Sequence, residues 1–356
     1  MSAEPAPAAR DRHATPRQAL LLAPGRLELR EVPRPHPGPG EVVLKITCAL
    51  SCGTDLKAFR RGHPMWPMPT PFGHEFTGII AEVGADVSDF REGDAVMAAP
   101  TAPCGRCFFC ARGQENLCPQ AMARMVLGAY ADYLLVGAHV VARNMFHKPA
   151  SLAIEQAALL EPLSCVVHAH EMARPEPGEN VLIVGAGAFG LLHALVLKAR
   201  GVSDIAIVGR GANRLRWASE LDGVRTLDAR ADGIDEAIAA LNQGHGPDLV
   251  IESTGQVDGW ADAFRRVRRG GRVLFFGGCP PDTTLGVDTR RMHYDNLALL
   301  SPFHFRPRDV RSAYELLASG RLEAGRLVNA RRPLAELPEV FAMLGRGEAL
   351  KCAVIP

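Results

Sequence analysis

The 356-residue sequence predicts an α/β protein in two parts: a β-rich unit, then a doubly wound parallel sheet flanked by helices. Three observations point there. Short apolar runs broken by Gly and Pro fill residues 18–150, and strand-like and helix-like stretches alternate from about residue 152. A glycine-rich turn, "VGAGAFG", then joins the first strand of the second part to an apolar helix. The length suits about two domains of ordinary size.

In the first part, "QALLLA", "LELREV", "EVVLKITCAL", "GIIAEVG", "DAVMAAP" and "YADYLLV" read as short strands, with turn-rich "HPMWPMPTPFG" between them. In the second, "NVLIVGAGAFGLLHALVLKARG" is strand, turn and helix. The alternation continues through "DIAIVGR", "RLRWASEL", "DLVIES", "WADAFRRVR" and "RVLFFGG", as a parallel sheet requires. The tail is helical at "DVRSAYELLASG" and "ELPEVFAMLGRG" and ends on strand-like "LKCAVIP".

Lys plus Arg (40) balances Asp plus Glu (39), which argues against nucleic acid or an anionic membrane as partner. No stretch has the roughly 18–20 apolar residues of a membrane span. Residues 1–17 lack a signal-like apolar run and read as a disordered extension, so a soluble, cytoplasmic protein is expected. In such a chain, nine cysteines with four crowded into residues 104–118 favour metal over disulfides.

That crowd is "CGRCFFCARGQENLC", which sets Cys104, Cys107, Cys110 and Cys118 at C-x2-C-x2-C-x7-C spacing. Four soft donors with short closing loops suit a closed tetrahedral zinc site that staples a loop and does no chemistry. An iron–sulfur run would space its fourth cysteine by three residues, not seven.

The turn supplies Gly185, Gly187 and Gly190 after the strand "NVLIV" and before a helix, the context of a dinucleotide fingerprint. Gly185 permits the tight turn, Gly187 admits the pyrophosphate to the backbone, and Gly190 lets helix and strand pack closely. The second strand ends in Gly209 and Arg210 where an NAD-selective site carries an acid. A glycine leaves room for a 2′-phosphate there, an arginine can grip it, and Arg214 can assist. NADP(H) is therefore preferred over NAD(H).

"SCGTD" (51–55) and "GHEFTG" (73–78) complete the motifs. With them the sequence resembles the zinc-containing medium-chain dehydrogenase/reductase family, whose signature GHExxGxxxxxGxxV is met by Gly73, His74, Glu75, Gly78, Gly84 and Val87. "LLEPLSCVVHAH" resembles the sorbitol and threonine dehydrogenase branch. The resemblance implies a GroES-like catalytic domain over 18–160, with its zinc lobe at 100–120. It further implies a Rossmann domain over 161–298, a return of 299–356 to the catalytic domain, and a homodimer or homotetramer. It also implies that Cys52 and His74 bind a catalytic zinc, with Glu75 and Glu161 completing the shell, one or both directly or through water. Asp55 then steadies the ligand histidine, and Thr54 passes the alcohol proton onward. Lys57 stands where the classical relay ends in histidine, which leaves the proton's exit open. Lys351 is expected to face the cofactor pyrophosphate.

The activity implied is hydride transfer between NADP(H) and a secondary alcohol, polyol or amino-alcohol and its ketone. Reduction of an activated C=C bond, such as an enoyl thioester, is the alternative on the same scaffold, and a non-catalytic cofactor-binding protein is a lesser one. "SPFHF" (301–305) offers His304 where polyol dehydrogenases carry an arginine, which argues against a simple sorbitol-type substrate. Phe59, Trp66 and Phe303 are candidates for an apolar pocket wall.

Overall fold

A computed structural model describes residues 15–356. The first fourteen residues of the expected extension lie outside the described residues. Its last residue, Arg17, opens a strand and holds Asp132 with Nε and Nη2, each at 3.1 Å.

The first part contains β1 (Arg17–Ala23), β2 (Arg26–Glu31), β3 (Val42–Leu50), β4 (Thr70–Pro71), β5 (Phe76–Val83), β6 (Ala95–Ala98), β7 (Tyr133–Val136) and β8 (Met145–His147). The second contains β9 (Asn180–Val184), β10 (Asp204–Gly209), β11 (Val224–Asp228), β12 (Leu249–Glu252), β13 (Arg272–Phe275) and β14 (Ala298–Leu300), followed by β15 (Val328–Pro333) and β16 (Lys351–Ile355). A small sheet runs β2-β1-β4, and a seven-stranded sheet runs β15-β16-β3-β5-β6-β8, with β7 also on β3. The last strand thus returns to the first unit, pairing Ala353 with Leu50 and Val354 with Ala49.

The six-stranded sheet has the order β11-β10-β9-β12-β13-β14 and is parallel throughout. Its strand order reverses between β9 and β12. The ends of those two strands therefore open the crevice where doubly wound sheets take ligands. β9 reads "NVLIV" with four of five residues buried, as a strand covered on both faces must be.

Three helices interrupt the strands of the first unit, Gly53–Arg61, Pro119–Ala123 and Ala138–Asn144. Between the units, the helix Leu160–Ala173 is buried at eleven of its positions and packs against the helix Pro307–Ala318. One core runs along it: Leu160, Leu163, Val166 and Val167 meet Val181 and Ile183 of the parallel sheet and Leu50 and Met97 of the other. The crevice is therefore bounded by packed, apolar walls. Among the described residues no helix is long and apolar enough to cross a membrane.

Candidate active site

Cys52 caps the helix Gly53–Arg61. Its backbone is extended, and its Sγ accepts the Thr54 backbone N–H at 3.4 Å, so the sulfur sits at the positive end of the helix. His74 follows Gly73, which lies at φ +93; a Cβ there would stand 2.8 Å from the Tyr130 ring. Glycine lets that ring pack against the chain just before His74. The Tyr130 hydroxyl then donates to Asp55 Oδ2 at 2.6 Å and to the Leu50 carbonyl at 3.0 Å. Asp55 Oδ1 lies 3.0 Å from His74 Nδ1. Gly73, Tyr130, Asp55 and His74 thus form one chain that fixes the imidazole and leaves Nε2 to face Cys52. A histidine held by a carboxylate on its far nitrogen is oriented for a metal.

Ligand atoms of Cys52, His74 and Glu75 lie within 4.8 Å of one another, and all three residues are buried. A thiolate, an imidazole and a carboxylate gathered out of water suit a zinc site with a position open for substrate oxygen. Burial, the largest influence on His74, favours the neutral ring. The Asp55 carboxylate and the Cys52 sulfur outweigh it and hold the pKa well above the ordinary value; the same electronegative surroundings that favour a proton on the ring would favour a metal cation in that proton's place.

Lys351 requires a correction. It does not face a pyrophosphate: it is 2% exposed, and its Nζ donates to Glu75 Oε1 at 2.7 Å, to Glu75 Oε2 at 2.5 Å and to the Ser51 carbonyl at 3.1 Å. β16 pairs with β3, and that register delivers the lysine to the back of the Cys52–His74–Glu75 triad. Burial works against its charge, but Glu75 and Cys52 outweigh it and raise its pKa.

Glu161 lies on the helix Leu160–Ala173 and groups with Cys165 and His304 rather than with Cys52. Burial pushes its pKa up to about 7, with His74 pulling the other way. Trp66 stands beside the site, its ring 5.7 Å from that of His74. Phe59 stacks on Phe341 inside the core, and Phe303 is exposed. Lys57 reaches across the crevice: a Cβ on Gly255, just past β12, would stand 3.1 Å from its Nζ.

The four lobe cysteines bring their Sγ atoms within 4.8 Å of one another, at a more exposed place. The Arg106 backbone N–H, aided by Cys107, draws Cys104 down to about 6, and the Cys110 N–H lowers Cys107. Converging thiols with amide donors suit a tetrahedral metal. The lobe is tied to the crevice by Asn116, whose Nδ2 donates to the Phe303 carbonyl at 3.0 Å.

At the crevice, Gly185 has φ +116, and a Cβ on Gly190 would collide with the Gly185 carbonyl oxygen. A Cβ on Gly187 would meet nothing within 4 Å. That open space, at the N-terminus of the helix Ala188–Ala199, fits a pyrophosphate cradle. Ser253 closes the turn by donating to the Val184 and Gly185 carbonyls at 3.0 and 3.2 Å. Gly209 differs from expectation: a Cβ there would stand 2.5 Å from Ala186, so the glycine makes room for the neighbouring turn rather than for a phosphate. Arg210 and Arg214 are exposed beside it. Tyr130, Ser51, Cys165 and Ser253 were not singled out from sequence; only the fold brings them to these positions.

Residues 38–145 match the alcohol dehydrogenase GroES-like domain, and residues 188–319 match the zinc-binding dehydrogenase family. The D-altritol 5-dehydrogenase of Agrobacterium fabrum is 32% identical, covering 89% of this chain and 92% of that one. The L-threonine 3-dehydrogenase of Bacillus velezensis is 30% identical, covering 92% and 95%. Among solved structures, a zinc-binding dehydrogenase from Sinorhizobium meliloti bound to NADP superposes with a TM-score of 0.88 at 30% identity, covering 97% of this chain and all of that one. With the Cys52–His74–Glu75 triad, the cysteine lobe and the glycine turn on one scaffold, the chain belongs to the zinc-containing medium-chain dehydrogenases of the alcohol dehydrogenase superfamily, in the branch of the sorbitol and threonine dehydrogenases, and is an oxidoreductase.

Proposed function

We propose that the protein transfers hydride between NADP(H) and a secondary alcohol or polyol and its ketone. The supporting observation is the buried Cys52–His74–Glu75 triad, backed by Asp55 and Lys351, beside the helix Gly53–Arg61, whose Lys57 reaches the ends of the parallel sheet. Cys52, His74 and Glu75, with Glu161 alongside, would hold a zinc ion, which when bound would supply Lewis-acid polarisation of the substrate oxygen and so lower the alcohol's pKa. The nicotinamide cofactor supplies the hydride acceptor or donor, and the Gly185–Gly190 turn binds its pyrophosphate.

The chain's residues do the rest. Asp55 and Tyr130 keep His74 in one tautomer and orientation. Lys351 neutralises Glu75, so the triad carries less net negative charge in its buried setting. Thr54, in the first turn after Cys52, takes the alcohol proton toward solvent. Trp66 shields the reacting atoms from water. Arg210 and Arg214 bind the 2′-phosphate, which gives NADP(H) preference. A second zinc in the cysteine lobe, the division into catalytic residues 18–160 and 299–356 with cofactor residues 161–298, a cytoplasmic location and a homodimer or homotetramer belong to the same reading.

The test is a panel of secondary alcohols, polyols, ketones and enoyl thioesters with each nicotinamide cofactor, followed by absorbance of the reduced cofactor. Turnover of alcohols or ketones with NADP(H) is expected. Turnover of enoyl substrates alone contradicts the reading.

A further inference from the structure

A second cluster of metal-ligating side chains stands beside the Cys52–His74–Glu75 triad and shares none of its donors. Glu161 and Cys165 are four residues apart on the helix Leu160–Ala173 and so share one face, and His304 reaches them from a distant segment. Ligand atoms of the three lie within 4.8 Å of one another. The Cys165 thiol donates to Glu161 Oε1 at 3.7 Å. Zinc–sulfur and zinc–oxygen bonds of about 2.3 and 2.1 Å, meeting at the tetrahedral angle, hold their donors about 3.6 Å apart. A metal ion can therefore replace the thiol proton, which leaves to solvent, with little movement of either side chain.

Charge and support point the same way. Glu161 is buried, yet among the described residues it has no ion pair, whereas Glu75 of the triad has Lys351. A carboxylate out of water is costly to keep ionised unless a cation or a metal compensates it. His304 sits at φ +60, a left-handed backbone conformation that few residues other than glycine adopt. Its Nε2 lies 2.6 Å from Thr101 Oγ1, and Asn144 Nδ2 donates to the Thr101 carbonyl at 2.6 Å. A ring held by Nε2 keeps Nδ1 for a metal, as Asp55 does for His74 from the other nitrogen. Thiolate, carboxylate and imidazole together are a zinc donor set.

We propose that Glu161, Cys165 and His304 bind a further divalent cation of the zinc type, separate from the ion of the triad, and that this cation inhibits the enzyme. Glu161 is close enough to His74 and Glu75 to feel their charges, so an ion here stands at the edge of the reacting centre and excludes the substrate. Repulsion from an ion in the triad makes this the weaker site, filled only when metal is in excess. Thr101 is the positioning residue that holds the ring. The inhibitory role rests on the hydride-transfer reading above; the binding site does not.

The experiment dialyses the purified active enzyme to equilibrium against excess Zn2+, or Co2+ as a coloured substitute, and counts bound ions beside turnover. Wild type should take up one ion per chain beyond its initial content. Co2+ should add a thiolate-to-cobalt absorption band, and inhibition should compete with the alcohol. Cys165→Ala should bind the added ion at least about a hundredfold more weakly, lose the band and resist inhibition, with turnover before addition within about twofold of wild type. Thr101→Val should bind it about tenfold more weakly. Cys52→Ser, which disables the triad, should keep the added ion and its band. If Cys165→Ala does not fold, Cys165→Ser and Thr101→Val decide. No uptake beyond the initial content, uptake that Cys165→Ala retains, or uptake that Cys52→Ser abolishes overturns the site. Uptake with turnover unchanged at saturation overturns the inhibitory role. No turnover on the wider panel overturns hydride transfer and the inhibitory role with it, while the ion count still decides the site.

Discussion

The cysteine lobe and the Cys52 triad both converge thiolate donors, but they are built in opposite ways. The lobe uses four identical donors within fifteen consecutive residues, Cys104 to Cys118, and three of the four are partly exposed. The triad mixes sulfur, nitrogen and oxygen, is buried, and draws on Asp55 of the helix that Cys52 caps and on Tyr130 and Lys351 from distant parts of the chain. A metal that only staples a loop needs donors and short closures. One that does chemistry needs an open position, a dry pocket and neighbours that set orientation and charge.

The contrast is tested first where the effect is largest. Cys52→Ser should lower turnover roughly a thousandfold, about 4 kcal/mol of transition-state stabilisation, with the melting temperature near that of wild type. Steady-state kinetics beside thermal unfolding checks this; catalysis intact in that variant breaks the assignment. Cys107→Ser should do the reverse, costing about 3 kcal/mol of stability in denaturant unfolding while residual folded protein still turns over.

Thiol chemistry sharpens the same difference. In metal-stripped protein at pH 7, Cys104, drawn down to about 6 by backbone N–H donors, is mostly thiolate, whereas burial raises Cys52 and keeps it protonated. Iodoacetamide should label Cys104 at least about thirtyfold faster, as peptide mass spectrometry would read. Equal rates would mean that the two sulfurs do not differ in environment. The smallest effect is expected at the cofactor edge: Arg210→Ala should weaken NADPH about tenfold and leave NADH nearly unchanged, because the residue is exposed and would make one charged contact with a 2′-phosphate. Equal losses for the two cofactors would remove the phosphate-gripping role.

The lobe was legible in sequence because all its information is local. The same holds for the first turn of the parallel sheet: "NVLIV" is β9, and the helix begins at Ala188 as the glycine spacing implies. Local patterning failed where tertiary contacts dominate. β11 reads "VRTLD", half exposed at a sheet edge, and carries no apolar run to find. The helix Gly53–Arg61 hides in a stretch flanked by turns, since its buried positions are mainly Asp55 and Ala58. Lys351 was misread for a similar reason. A lysine near the chain end looks solvated until β16 pairs with β3 and carries it to Glu75. Tyr130 gave no sign in sequence, because its role depends on the absence of a side chain at Gly73.

The central claim is that one metal works and one holds the fold. Zinc content and turnover measured on the same samples during stepwise mild chelation test it most directly. Two zinc ions per chain at the start are expected, with activity falling in proportion to loss of the first while the melting temperature holds, and the melting temperature falling only as the second leaves. Full activity after one zinc has gone, or a single zinc per chain in fully active enzyme, would contradict the account.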